Sequence, residues 1–171
     1  MGLAVLLLQD NPEYLKWSRF KAGSFVRLRM ENNANGEKIV NELTVTLVEL
    51  TKDKAVVETT GRVIRGKKVS ERPAMRAEYL ARPAPEPGRL PPHGPPNPAP
   101  DPADLKPKVT EGEEELVIGG KKVKCKWTEF RLGTRSEKSW KSEEVPGGLV
   151  KKEEQQGDFS STLLVVEWES K

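Results

Sequence analysis

The chain has almost none of the residues that build cross-links or soft-metal cages. Among its 171 residues there is a single cysteine, Cys125, and a single histidine, His93. That excludes a disulfide framework and any His/Cys zinc site. No apolar run approaches the roughly 20 residues of a membrane-spanning helix, which excludes a helical transmembrane bundle. Hydrophobic residues are also scarce, at 35%, while charged residues reach 32%, above the roughly 25% usual for globular chains. Little core material is on hand, and it has to be shared along a sheet rather than concentrated in helices.

Lysine and arginine number 29 against 26 acids, leaving a formal charge of +3. The basic residues are interleaved rather than massed. Arg27 and Arg29 alternate with Val26, Leu28 and Met30, the pattern of a strand with one wet face. A nucleic-acid surface needs a dense basic face with aromatics between the charges, so no nucleic-acid partner is expected.

What is present has mostly a period of two. Asn11-Pro12-Glu13-Tyr14 reads as a helix start, with Asn at the cap, Pro at the first helical position and an acid in the first turn. A helix over about residues 12–19 would place Tyr14, Leu15 and Trp17 on its apolar side, and Gly23 would release the chain into a strand. Val26, Leu28 and Met30 mark the first strand, Leu43–Val48 the second and Ala55–Arg65 the third. Beyond residue 107, Glu115–Ile118, Gly119-Gly120 and Lys121–Trp127 form the clearest hairpin signal. Val123, Cys125 and Trp127 there alternate with Lys122, Lys124 and Lys126. Ser136–Val145, Leu149–Glu154 and Thr162–Trp168 complete a set of about eight strands. The last is apolar on both sides, the mark of a central position. With no crossover helices the pairing should be antiparallel. The expected fold is all-β: an antiparallel meander forming a curved open sheet or half-barrel, with one short N-terminal helix.

Residues 83–107 break the pattern. They hold most of the chain's 14 prolines and almost no large apolar side chain, which predicts a flexible insertion with polyproline character inside a single domain spanning 10–171. Pro91-Pro92 and Pro95-Pro96 also fit an aromatic groove on another protein. Residues 1–9 are an apolar leader, Leu3–Leu8 at its heart. It reads either as the remnant of an export signal or as an apolar element packed on the sheet. The first places the protein in the periplasm or outside the cell, the second in the cytoplasm.

Catalytic chemistry finds little purchase. His93 lies between Pro92 and Gly94, and no other base is available to activate a serine or cysteine. Glu113-Glu114-Glu115 and Glu143-Glu144 are adjacent in sequence, so on a strand they diverge to opposite faces rather than converge on a cation. Carboxylate-catalysed hydrolysis by acids brought together in the fold stays as a secondary alternative. No enzyme activity, cofactor or metal is expected. The four tryptophans, Trp17, Trp127, Trp140 and Trp168, are candidates either for lining a ligand face or for filling the core. Cys125 reads as a small buried side chain.

The segments Asn11-Pro12-Glu13-Tyr14 with Trp17, Lys21-Ala22-Gly23-Ser24-Phe25-Val26, Trp140, and the turn Val145-Pro146-Gly147-Gly148-Leu149-Val150-Lys151 resemble a family of uncharacterised bacterial β-proteins. The layout is similar to the half-barrel of periplasmic lipoprotein-localisation factors, which wrap a curved sheet around an apolar cavity. The chain differs from those carriers in having one helix where they use helices as a lid. The resemblance implies a cell-envelope protein whose concave face takes an apolar or extended ligand, and it transfers no functional residue. The competing reading is an interaction module whose Pro-rich segment 83–107 reaches a partner. The export reading of residues 1–9 predicts that the protein recovered from its own cells has lost them; a mature N-terminus at Met1 or Gly2, read by intact-mass spectrometry, contradicts it.

Overall fold

The computed structural model describes residues 11–82 and 106–171; the leader 1–9 and most of the Pro-rich segment lie outside these residues. Nine strands form one antiparallel sheet: β1 (Phe25–Ala34), β2 (Glu37–Leu50), β3 (Lys54–Arg65), β4 (Lys68–Leu80), β5 (Lys108–Ile118), β6 (Lys121–Leu132), β7 (Arg135–Lys141), β8 (Leu149–Gln156) and β9 (Phe159–Glu169). Their order is β4-β3-β2-β1-β9-β8-β7-β6-β5. Two meanders, one running outward from β1 and the other inward to β9, are joined by the β1–β9 ladder. The expected all-β open sheet with one short helix is the fold observed. β9, the doubly apolar strand, occupies the centre of the sheet.

The helix α1 (Pro12–Trp17) is capped as its sequence dictates. The Asn11 Oδ1 accepts from the Glu13 N–H at 3.0 Å, and Pro12 takes the first position, where its missing N–H costs nothing. It ends two residues short of the expected span, at the Ser18 cap. Tyr14 donates its hydroxyl to the Thr51 carbonyl at 2.9 Å, tying the helix to the β2–β3 turn.

Several elements depart from the sequence reading. β4 was not legible, because its residues are exposed almost throughout and carry Lys68, Glu71, Arg72, Pro73, Arg76 and Glu78. An edge strand that meets the core only at its far end, through Ala77 and Tyr79, has little reason to alternate before it, and charges with a proline blunt it against further pairing. β5 begins at Lys108, well before the expected Glu115, for the same reason. β7 stops at Lys141 rather than Val145, and residues 142–148 form a loop instead. Strict alternation along β9 would put Trp168 on the side of Leu164 and Val166; it lies instead on the side of Leu163 and Val165. The β1–β9 register shifts between Arg27 and Leu28, so that Leu28 faces Val165 while Val26 faces Trp168. Val166 is the extra residue of a bulge, which re-aims everything after it.

The register carries a further consequence. Directly opposed residues of antiparallel strands project from the same face. Val57, Leu47, Leu28 and Val165 therefore share the face on which α1 packs. Followed onward, that face continues through Leu163, Lys152, Ser139, Thr128 and Glu111 and becomes polar. Across β5–β7 the apolar residues Leu116, Val123, Cys125, Trp127 and Trp140 project from the other face. The apolar side of the sheet thus changes face beyond β9.

These two patches nonetheless belong to one buried cluster, because the sheet is split at one end. Residues 121–125 of β6 pair with β5 but not β7, and residues 165–169 of β9 pair with β1 but not β8. The sheet curls there, bringing β5 against β9 although three strands lie between them in the order. Lys121 Nζ sits 4.5 Å from the Trp168 ring centre. The loop 142–148 fills the split with Val145 and Pro146, both fully buried. Gly147, at φ +78°, lies under Trp17, where an added Cβ would approach the Trp17 Cζ2 to 3.2 Å. Only glycine meets both demands. Trp17→Ala, which removes the ring from this junction, is expected to destabilise the fold by about 3–5 kcal/mol, measured by urea denaturation.

Candidate functional site

The principal cavity lies on the helix-bearing face, where that face turns polar. Its volume is about 1230 Å³, larger than the roughly 300–1000 Å³ of most small-molecule pockets, and it is a groove open to solvent rather than a closed chamber. One wall is α1 and the residues just after it, with Pro12, Leu15, Lys16 and Arg19. The floor is the polar face of β5–β8, and the loop 142–148 forms the end. Apolar surface comes from Leu15 and Leu149, with the buried Val145 behind them; the floor presents Lys124, Lys126, Thr128, Glu137, Ser139, Lys141 and Lys152.

The charges of the groove fall into two groups. Some are held: Lys16 pairs with Glu13 at 2.5 Å, Arg19 pairs with Glu143, and Lys152 bridges Glu137 at 3.2 Å and Glu154. The bond to Glu154 and then that to Glu137, against the cost of burial, hold the Lys152 ammonium above its ordinary pKa. Lys124, Lys126 and Lys141 form the second group. Among the described residues none of them has an ion-pair partner.

The four tryptophans are arranged differently, and none of them lines this groove. Trp17 and Trp140 are buried in the core cluster; Trp127 and Trp168 pack against it, half-buried. Trp140 donates its indole N–H to Glu114, a carboxylate that also borders the groove. The Lys138 Nζ stands 4.2 Å from the Trp127 ring centre and 4.6 Å from that of Trp140, and Lys151 stands 4.6 Å from Trp140. These cation–π contacts cover the rings where the sheet leaves them bare. Gly112 is needed beneath Trp127, because an added Cβ would lie 2.5 Å from its ring. A second cavity, about 210 Å³, lies on this opposite face among Glu129, Ser136, Lys138, Glu153 and Thr162.

The groove brings together Glu113, Glu114, Glu137, Glu143 and Glu144, with Ser139 and Ser142 on its border; the adjacent Glu pairs, expected to diverge, thus border one cavity, Glu143 and Glu144 from a loop rather than a strand. His93 lies outside the described residues. Among the described residues no group of three His, Cys, Asp or Glu is placed to hold a metal ion. No helix there is long and apolar enough to cross a membrane. The lysines of the groove floor escaped attention as a site in the sequence. Lys124 and Lys126 mark only the wet side of a strand there, and nothing local pairs Lys126 with Lys141, fifteen residues on.

No known protein family matches the chain, and no curated protein matches it. Among solved structures, the crystal structure of a putative lipoprotein from Parabacteroides distasonis is similar, with a TM-score of 0.48 and 9% identity over 90% of this chain and 98% of that one.

Cys125 is 2% exposed, and its thiol is pushed above the ordinary pKa by burial first, then by Glu114 and Glu144, against a lowering backbone hydrogen bond from Leu116. Since the thiolate is the reactive species, raising the pKa suppresses it. Cys125 is therefore expected to resist iodoacetamide at pH 8 in the native protein and to label fully in denaturant, as read by mass spectrometry. Rapid native labelling contradicts its burial.

Proposed function

We propose that the protein is a non-enzymatic binding protein of the bacterial cell envelope that holds an extended ligand in the groove between α1 and the polar face of β5–β8. The observation that carries this reading is the groove itself: a large open cavity with a helix for one wall and a charged floor. An open cleft with a few converging polar groups on a rigid scaffold is the usual form of a binding site. The floor is rigid because it consists of paired strands, and the helix wall is fixed by its cap and by Tyr14. The apolar run Leu3–Leu8, read as an export-signal remnant, supports the envelope location.

The position assigned here differs from the simplest expectation. The ligand lies over the polar stretch of the helix-bearing face, not against the tryptophans. An interaction module working through 83–107 is the competing reading. That segment connects β4 to β5, the two outer strands of the sheet, so its outright deletion would leave Arg82 and Lys108 to bridge opposite edges. Replacement of 83–107 by a Gly/Ser segment of equal length is therefore the informative variant. Native mass spectrometry of the protein purified from its own cell fraction is expected to show a retained small-molecule mass in both forms. Loss of a bound protein on replacement, with no small molecule in either form, favours the Pro-rich arm and overturns the groove reading.

A further inference from the structure

Lys126 on β6 and Lys141 on β7 are directly opposed in the ladder, and both line the groove. Like charges in that position destabilise a strand pair. Two residues along, Lys124 adds a third cation on the same face. The carboxylates nearby close no ion pair with them. Glu113 stands opposite Lys126 and Glu115 opposite Lys124 on β5, but Glu115 pairs with Lys122; Glu143 is taken by Arg19, and Glu137 by Lys152; Glu113, Glu114 and Glu144 make no ion pair among the described residues.

A second like-charge pair in the same floor shows how the fold treats this problem. Glu137 and Glu154 are directly opposed on β7 and β8, and Lys152 bridges the two. Among the described residues no carboxylate bridges Lys126 and Lys141 in that way. Other opposed cations, Arg65 with Lys68 and Lys108 with Arg131, close their ladders as Lys126 and Lys141 do, but they stand outside the groove. A local rule broken inside a cavity marks a place where function sets the residues.

We propose that the groove takes an amphiphilic anion, whose carboxylate or phosphate head sits between Lys126 and Lys141 with Lys124 beside it. Its apolar part lies along Leu15 and Leu149. This rests on the reading that the groove binds a ligand, and it names the chemistry recognised there. Two ammonium groups carried by adjacent strands can both make charge-assisted hydrogen bonds to one anionic head group, which supplies the bridging negative charge that the strand pair lacks among the described residues.

Isothermal titration calorimetry of the full chain, with decanoate, decyl phosphate and the neutral decyl glucoside below their micellar concentrations, tests it. At least one anion is expected to bind, about tenfold or more tighter than the glucoside, and to weaken as salt is raised. Binding of decanoate alone or of decyl phosphate alone identifies the head group. Lys126→Gln and Lys141→Gln should each lower anion affinity about tenfold and leave glucoside binding unchanged, whereas Lys67→Gln, outside the groove, should change neither. Lys141→Gln should also raise the melting temperature of the ligand-free protein by about 1–2 °C at low salt, which shows that it folds. Equal binding of anions and glucoside, or anion binding indifferent to both substitutions, overturns the anion site and leaves the groove reading standing. Binding of none of the three overturns both.

Discussion

The packing of Trp17 over Gly147, with Val145 and Pro146 beneath the helix, is the contact on which the rest of the molecule depends. The sheet has too little apolar material to cover both of its faces. It places that material on one face across β3, β2, β1 and β9, and on the other across β5–β7. Two thin half-cores of this kind would each be marginal alone. The loop 142–148 merges them through the gap left where β7 and β8 stop short, and the helix seals the join. The groove is a product of the same arrangement: once the apolar residues have moved to the far face, the near face of β5–β8 is free to carry lysines, acids and hydroxyls.

Charge is handled in distinct ways over the surface. On the face away from α1, Arg29 links Glu31 and Glu42, Arg62 joins Glu42, and Arg76 meets Glu58. These are exposed pairs, each worth about 0–1 kcal/mol, and they act more on strand register than on overall stability. Lys38, and then Arg29, hold the Glu31 carboxyl below the ordinary carboxylate pKa. Its contribution is therefore present above that ordinary value and fades as pH falls through the lowered one. The groove floor is different because part of its cation set is left without internal partners.

Legibility in the sequence followed packing. Where a strand has one buried and one wet side, as in Val123, Cys125 and Trp127 against Lys122, Lys124 and Lys126, alternation announced it. The Asn11-Pro12 cap announced the helix, and the doubly apolar Thr162–Trp168 announced a central strand. Where little packs, as along the exposed first part of β4 and the start of β5, there was no pattern to read. The bulge at Val166 was invisible for another reason. A bulge is a property of a strand pair, and its effect on Trp168 exists only once β1 is in place.

The sequence by itself determined the all-β class, the capped helix and the wet and dry sides of the well-packed strands, because these follow from local periodicity and turn chemistry. It also determined that no His/Cys cage or cross-linked framework is available, since the residues are not there. The tertiary structure alone decided the order of strands, the change of apolar face beyond β9, the burial of Trp17 and Trp140 away from the groove and the opposition of Lys126 to Lys141. Each of these depends on which strand lies beside which, a long-range choice made by the shared core and not by any one segment.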